Sequence, residues 1–306
     1  MDPLSDVLSL LKPQGYLTAG LDAGDNWAVR FGNQAGVIKC HVVLEGRCWI
    51  VVDGERAVQV EAGDCIMLVS GRSFTLASDL EQVPVLAGEL LGNAKPGDTV
   101  TLDGGGAFRL IGTRFLVDAD KMRSMLGDMP SLVHLQGAAH TGMLRWNIEQ
   151  MIAETSNTGP GTALAAHHLA HLILLQALRL YLSRDTETRI GVLFAMSDKR
   201  LAKAIEAMHS EPGHSWTLPE LAVRAGLSRS AFAQRFCERT GETPIAYLTR
   251  WRMLLATERL KSGTERLAEI ANSLGYESEN AFSTAFKRVT GYSPTRIGRL
   301  TVATQL

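Results

Sequence analysis

The chain has 306 residues, 45% apolar and 21% charged, which excludes wholesale disorder and, by length, favours two domains over one. Its 31 Lys and Arg against 32 Asp and Glu leave a net charge of −1, which at first sight excludes a nucleic-acid binder. Counted by segment it does not. From Asp198 onward there are 16 Lys and Arg against 11 Asp and Glu, net +5, while the first 197 residues hold the remaining 15 and 21, net −6.

The opening stretch, MDPLSDVLSLLKPQGYL, has no basic region before its short apolar run and is not expected to be a signal peptide. Residues 27–90 read as β-rich. VIKCHVVLEG (37–46) and RCWIVVDG (47–54) are β-branched runs separated by Glu45-Gly46, a hairpin signal. AVQV (57–60), CIMLV (65–69) and FTLAS (74–78) follow, each set off by Gly and Asp. Such spacing predicts an antiparallel β-barrel or sandwich. Residues 92–106 are Gly-rich and read as a loop with one short strand. The period then turns helical, with helices expected over 118–128, 140–155 and from Thr162 to about Ser183, the second and third separated by SNTGPG (156–161). The most apolar part, residues 169–182, contains His171, Gln176 and Arg179 and is short for a bilayer span, so no membrane partner is expected. Residues 185–197 read as a linker, and the remainder is almost wholly helical. Four cysteines (Cys40, Cys48, Cys65, Cys237) lack CxxC spacing and read as reduced thiols of a cytoplasmic protein.

The basic segment contains a duplication. Glu220, Ala222 and Gly226 recur 49 residues later as Glu269, Ala271 and Gly275. Phe232, Phe236, Thr240, Gly241 and Pro244 recur 50 residues later as Phe282, Phe286, Thr290, Gly291 and Pro294. Each copy reads as a helix, a glycine turn, and a second helix opened by Ser228 or Ser278 as N-cap, the helix-turn-helix pattern. Ala222 and Ala271 are small where helices cross, and Gly226 and Gly275 suit a left-handed turn. Thr217 to Glu220 form a capping box, and Thr243-Pro244 and Ser293-Pro294 are N-cap/N1 pairs. One helical connector, residues 245–262, spans ~27 Å. Readers in successive major grooves sit ~34 Å apart, so a stiff rod of this length lets one chain carry two of them. A plain helical bundle also uses small residues at crossings, but two matched copies on a basic segment favour the DNA reader.

These residues resemble the DNA-binding domain of the AraC/XylS family of bacterial transcription regulators. Ala271 to Tyr276, Phe282 to Lys287 and Gly291 to Pro294 carry the likeness. The N-terminal part resembles the cupin-type sensory domain of one branch of that family, through HVVLEGRCWIVVDG and EAGDCIMLVSG. The expected architecture is therefore α+β and multidomain. Residues 1–184 form a cupin-like sensor and dimerisation domain with a helical extension at about 118–184, residues 185–197 a linker, and residues 198–300 an all-α domain with two helix-turn-helix units. The resemblance implies promoter DNA, RNA polymerase and a small-molecule or stress effector as partners. No cofactor is expected.

With Phe232 and Phe236 packed inward, Arg229, Ser230, Ala233 and Gln234 fall on the outer face of the first recognition helix. On the second, Glu279, Asn280, Ser283 and Thr284 do so. Gln234 and Asn280 can bond adenine edges bidentately, and Arg229 suits guanine or phosphate. Arg235, Arg252, Lys287 and Arg288 are expected on phosphates. A solvated helix face is the competing reading for each.

Metal-dependent cupins need His-x-His and Glu from one strand region and a later His. Here the first region offers His41 and Glu45, and Phe74 stands where the later His belongs. The alternative of a cupin-fold enzyme or metal-binding protein is therefore disfavoured, and no metal ligand or catalytic residue is expected. A two-residue turn at Glu45-Gly46 places His41, Cys48 and Ile50 on one face, lining an effector pocket or a packed core. His167 and His171 lie one helical turn apart without a third ligand. The stripe Leu164, Leu172, Leu175, Leu178 and Leu182 suits a homodimer seam or burial against the sheet.

Overall fold

A computed structural model describes residues 2–17, 20–92, 94–95, 97–140, 142–155, 159–183 and 191–297. They fall into two compact units, one of Pro13–Thr186 and one joining Met1–Lys12 to Glu187–Leu306. The start of the chain thus packs with its far end, whereas the sequence reading assigns all of 1–184 to the sensor. Of the expected linker, 185–190 lie outside the described residues, as do 298–300 of the reader and 156–158 of the SNTGPG break. Residues 192–197 are helix α6 of the second unit.

The first unit is two facing β-sheets with a helical layer. The larger sheet runs β10 (Thr99–Leu102), β2 (Gly20–Ala23), β11 (Phe108–Leu116), β4 (Val37–Glu45), β7 (Cys65–Leu68), β12 (Leu132–Leu135), with β1 (Gln14–Leu17) also on β11. The smaller runs β6 (Val58–Glu61), β5 (Arg47–Val52), β8 (Phe74–Ala77), β3 (Ala28–Phe31), β9 (Val85–Leu86). All pairs are antiparallel except β10 with β2 and β3 with β9. Among the described residues no ladder joins the sheets, so the expected barrel is an open sandwich.

The expected hairpin at Glu45-Gly46 is instead the corner where the chain leaves one sheet for the other. β4 pairs with β11 and β7, while β5 pairs with β6 and β8. Gly46 takes φ +75, and a Cβ there would lie 2.1 Å from the Ala107 carbonyl oxygen, so only glycine turns this corner. Alternation along β5 buries Cys48, Ile50 and Val52. They join Trp27, Val43 and Phe108 in the inter-sheet core, where Phe31 and Phe74 stack 4.5 Å apart. A short helix α2 (Ala87–Leu91) packs against this core, and α3 (Ala119–Leu126) follows β11.

Helices α4 (Gly142–Thr155) and α5 (Thr162–Ser183) pack on each other, and α5 also meets β1. By length and composition α5 could cross a membrane. It instead buries Ala166, Ala170, Ile173, Leu174, Ala177, Leu178 and Tyr181 within the unit. His167 Nδ1 lies 2.8 Å from the Gly15 carbonyl oxygen and His171 Nε2 lies 2.6 Å from that of Pro13, so both imidazoles fasten the helix to the start of β1. Leu178 is buried, but Leu164 and Leu172 face solvent, which splits the expected leucine stripe.

The second unit comprises α6 (Val192–Ser197), α7 (Leu201–Ser210), α8 (Leu218–Ala225), α9 (Arg229–Thr240), α10 (Pro244–Ser262), α11 (Leu267–Ser273) and α12 (Glu279–Thr290). It has two cores. Leu221, Ala222, Phe232 and Phe236 fill one with Tyr247 and Leu248 from the first half of α10. Ile270, Ala271, Phe282 and Phe286 fill the other with Met253 and Ala256 from its second half. At 19 residues, about 28 Å, α10 is the shared spine.

Helix α1 (Pro3–Leu11) completes this unit. Asp2 caps it by accepting from the Ser5 N–H, and Val7, Leu10 and Leu11 are buried. Its Asp6 lies 3.2 Å from Nδ1 of His209, Lys12 pairs with Glu258 at 2.9 Å, and His209 stacks on Trp251 at 3.6 Å. These contacts pack residues 1–12 with the helices of this unit.

Candidate nucleic-acid interface

Local chemistry builds both helix-turn-helix units. The Thr217 hydroxyl accepts from the Glu220 N–H, while the Glu220 carboxylate accepts from the Thr217 N–H at 2.8 Å, a closed capping box. Gly226 caps α8 in the left-handed conformation (φ 63). Ser228 then opens α9 by accepting from the Ala231 N–H. The second copy repeats this with Gly275 (φ 80) and with Ser278 accepting from the Ala281 N–H. Phe232, Phe236, Phe282 and Phe286 are all fully buried. Their inward packing turns the opposite helix faces outward.

Arg229, Ser230 and Gln234 on α9 and Glu279, Asn280 and Thr284 on α12 are exposed, while Ala233 and Ser283 are half-buried. The Gln234 amide donates to Glu238 at 2.8 Å one turn on, an exposed bond that DNA can replace. Lys287 and Arg288 are exposed, and they line a shallow concavity with Ser283, Thr284, Ser293 and Pro294.

The other two expected phosphate ligands have partners within the protein. Arg235 donates to Asp198 through Nε (2.7 Å) and pairs with it through Nη2 (2.6 Å). Burial alone would raise the Asp198 carboxyl, but the Arg200 N–H, the Arg235 guanidinium and the Leu201 N–H hold it below the usual carboxylate range. Arg235 therefore fixes α9 to the start of α7. Arg252 donates to the carbonyl oxygens of Pro212 (2.5 Å) and His214 (2.8 Å) and lies over the Tyr276 ring. It ties the loop before the first copy to the turn of the second. Neither role shows in the spacing, because the acceptors lie 37 to 40 residues away.

In the sandwich, His41 lines a cavity, whereas Cys48 and Ile50 sit in the packed inter-sheet core and do not reach it. The cavity also takes Lys39 and Arg114, which the sequence reading passed over. The signal was available: Lys39, His41 and Val43 alternate onto one face of an otherwise apolar strand. Phe74, at the position of a metal-binding His, is fully buried against Phe31 and edge-on to His41. Among the described residues no cluster of three His, Cys, Asp or Glu side chains is placed to hold a metal ion. The four cysteines are free thiols, three of them buried.

Residues 2–183 match the family described as Cupin, and residues 221–299 match that described as Helix-turn-helix domain. The chain is 40% identical over 296 residues to an AraC-like transcription regulator of Streptomyces antibioticus, spanning 96% of this chain and 97% of that one. It is 29% identical over 278 residues to the HTH-type transcriptional regulator AlkR of Acinetobacter baylyi, spanning 88% and 89%. Among solved structures, ToxT from Vibrio cholerae aligns over 93% of this chain and 96% of its own, at 12% identity and a TM-score of 0.35. A cupin match over more than half the chain, a helix-turn-helix match over the duplicated segment and end-to-end relatives of one kind place the chain in the AraC family of DNA-binding transcription regulators with an N-terminal cupin domain.

Proposed function

We infer that the protein reads a promoter through α9 and α12 together, under the control of a small-molecule effector held by the cupin unit. The observation that carries this reading is the shared design of the two recognition helices. Each buries a Phe pair and offers an exposed amide, Gln234 or Asn280, on the opposite face. Both amides match the donor–acceptor edge of adenine in the major groove. Arg229, Ser230, Glu279 and Thr284 flank them on the exposed surface, and Ala233 and Ser283 leave room for the bases. Lys287 and Arg288, with the N-termini of the recognition helices, would hold phosphates and set the register. Arg235 and Arg252 act by holding the two readers in place.

The regulator would act in the cytoplasm, contacting RNA polymerase at the promoter and carrying out no catalysis of its own. A homodimer would form through α5, where Leu164 and Leu172 are exposed. Fluorescence anisotropy with labelled DNA from upstream of the gene tests the DNA reading. Gln234→Ala and Asn280→Ala should each cost about 1–3 kcal/mol of preference for the specific site. Equal affinity of the wild type for that DNA and for a scrambled duplex at moderate salt would sink the reading.

A further inference from the structure

The sandwich holds a cavity of about 500 Å³ between its two sheets, with α2 on one side, in the size range of small-molecule sites. Its walls are apolar: Leu21, Val29, Leu76, Leu90 and Leu110. Set into them are two cations, and the described lining holds no Asp or Glu. Lys39 on β4 lies directly opposite Arg114 on β11 in the strand register. Arg114 is exposed, while Lys39 is only 6% exposed. The Lys39 ammonium sits 3.8 Å from the centre of the Phe31 ring and 5.2 Å from that of Phe74. No carboxylate among the described residues pairs with it.

A buried ammonium without a counter-ion is costly, and the protein offers it only ring faces. Burial first, and the Arg114 charge second, pull Lys39 down to about 7. Two residues along the strand, His41 is 4% exposed and neither of its ring nitrogens has a hydrogen-bond partner. Burial and then Lys39 hold its pKa down at about 3, so it is a neutral imidazole with one unused N–H and one unused lone pair. Native proteins rarely leave buried polar groups unmatched. Here an ammonium and an imidazole, both unmatched, line one apolar cavity.

We propose that this cavity binds a small organic acid with an apolar body, its carboxylate held by Lys39 and Arg114, and its body lying along the leucine walls. The carboxylate supplies the counter-ion that the fold withholds, and it restores full charge to Lys39. A cationic ligand would meet two like charges, and a neutral one would leave the ammonium unpaired. Neither remedies the defect.

The proposal rests on the reading of the cupin unit as the effector sensor and adds the chemical class of the effector. Calorimetry on the full chain without DNA tests that class alone, with octanoate, benzoate, 1-octanol and octylamine as probes. Octanoate or benzoate should bind at one site, with octylamine silent. Lys39→Met keeps the aliphatic stem and removes an uncompensated buried charge. It should raise the melting temperature of the ligand-free protein and weaken acid binding by about ten- to a hundredfold. Arg114→Gln, at the exposed end, should weaken acid binding less and leave the melting temperature unchanged. The proposal is overturned if neither acid binds, if octylamine or octanol binds as tightly, or if both variants bind the acid like the wild type. Anisotropy with and without the bound acid then tests sensing. Acid binding that never alters DNA affinity would keep the site and remove its sensory role.

Discussion

At the scale of single residues, two arginines expected on phosphates also hold groups within the protein. Arg252→Ala removes charge-assisted hydrogen bonds to the Pro212 and His214 carbonyls and should cost about 2–3 kcal/mol of stability, read from urea unfolding. The slope of DNA affinity against salt should stay where it is. Lys287→Ala should do the reverse, leaving stability alone and lowering that slope by about one. His209 provides a pH test. Burial first, and then the charge of Arg250, hold its pKa at about 3 against an ordinary 6.5, so it is neutral in the fold. Tyr247 O–H then donates to its Nε2 (2.5 Å) and its Nδ1–H donates to Asp6 (3.2 Å). As pH falls below 6.5 the unfolded chain takes up a proton that the folded one refuses. Stability should therefore drop on acidification, by up to about 1.4 kcal/mol per pH unit. Asp6, pushed up by burial, offsets part of this at lower pH, so the comparison belongs between pH 7.5 and 5. Urea midpoints over that range should slope for the wild type and lie flatter for His209→Phe, which keeps a ring on Trp251.

At the scale of elements, what could be read in advance depended on how far away each partner lay. The capping box at Thr217, the N-caps Ser228 and Ser278 and the turn glycines work within a few residues, so the helix-turn-helix units were legible throughout. The outward faces of α9 and α12 followed, because the Phe spacing alone decides them. Strand β11 was not legible: Gly112, Arg109 and Arg114 interrupt its apolar run, and its partner β4 lies some seventy residues earlier. Helix α1 escaped for the same reason. Its buried face is only Pro3, Val7, Leu10 and Leu11, and it packs near His209 and Glu258. Leu11→Ala should cost about 2–5 kcal/mol. In calorimetry of the full chain, it should lower the transition of the DNA-reading unit and leave that of the sandwich in place. An unchanged reader transition would contradict the assignment of α1.

At the scale of the molecule, the near-zero charge is the sum of unlike parts. The duplicated reader occupies the segment with an excess of five positive charges, and α1 adds two aspartates and one lysine to that unit. So small an excess makes phosphate attraction alone a weak hold and favours simultaneous use of both recognition helices. Membership of α1 also bears on how the chain is made. It leaves the ribosome more than two hundred residues ahead of its partners His209 and Glu258. At about 5–20 residues per second, that helix waits roughly ten to fifty seconds for its partners. The reader is complete only once translation has passed through the whole sensor, so a nascent or prematurely ended chain carries no finished DNA-reading unit.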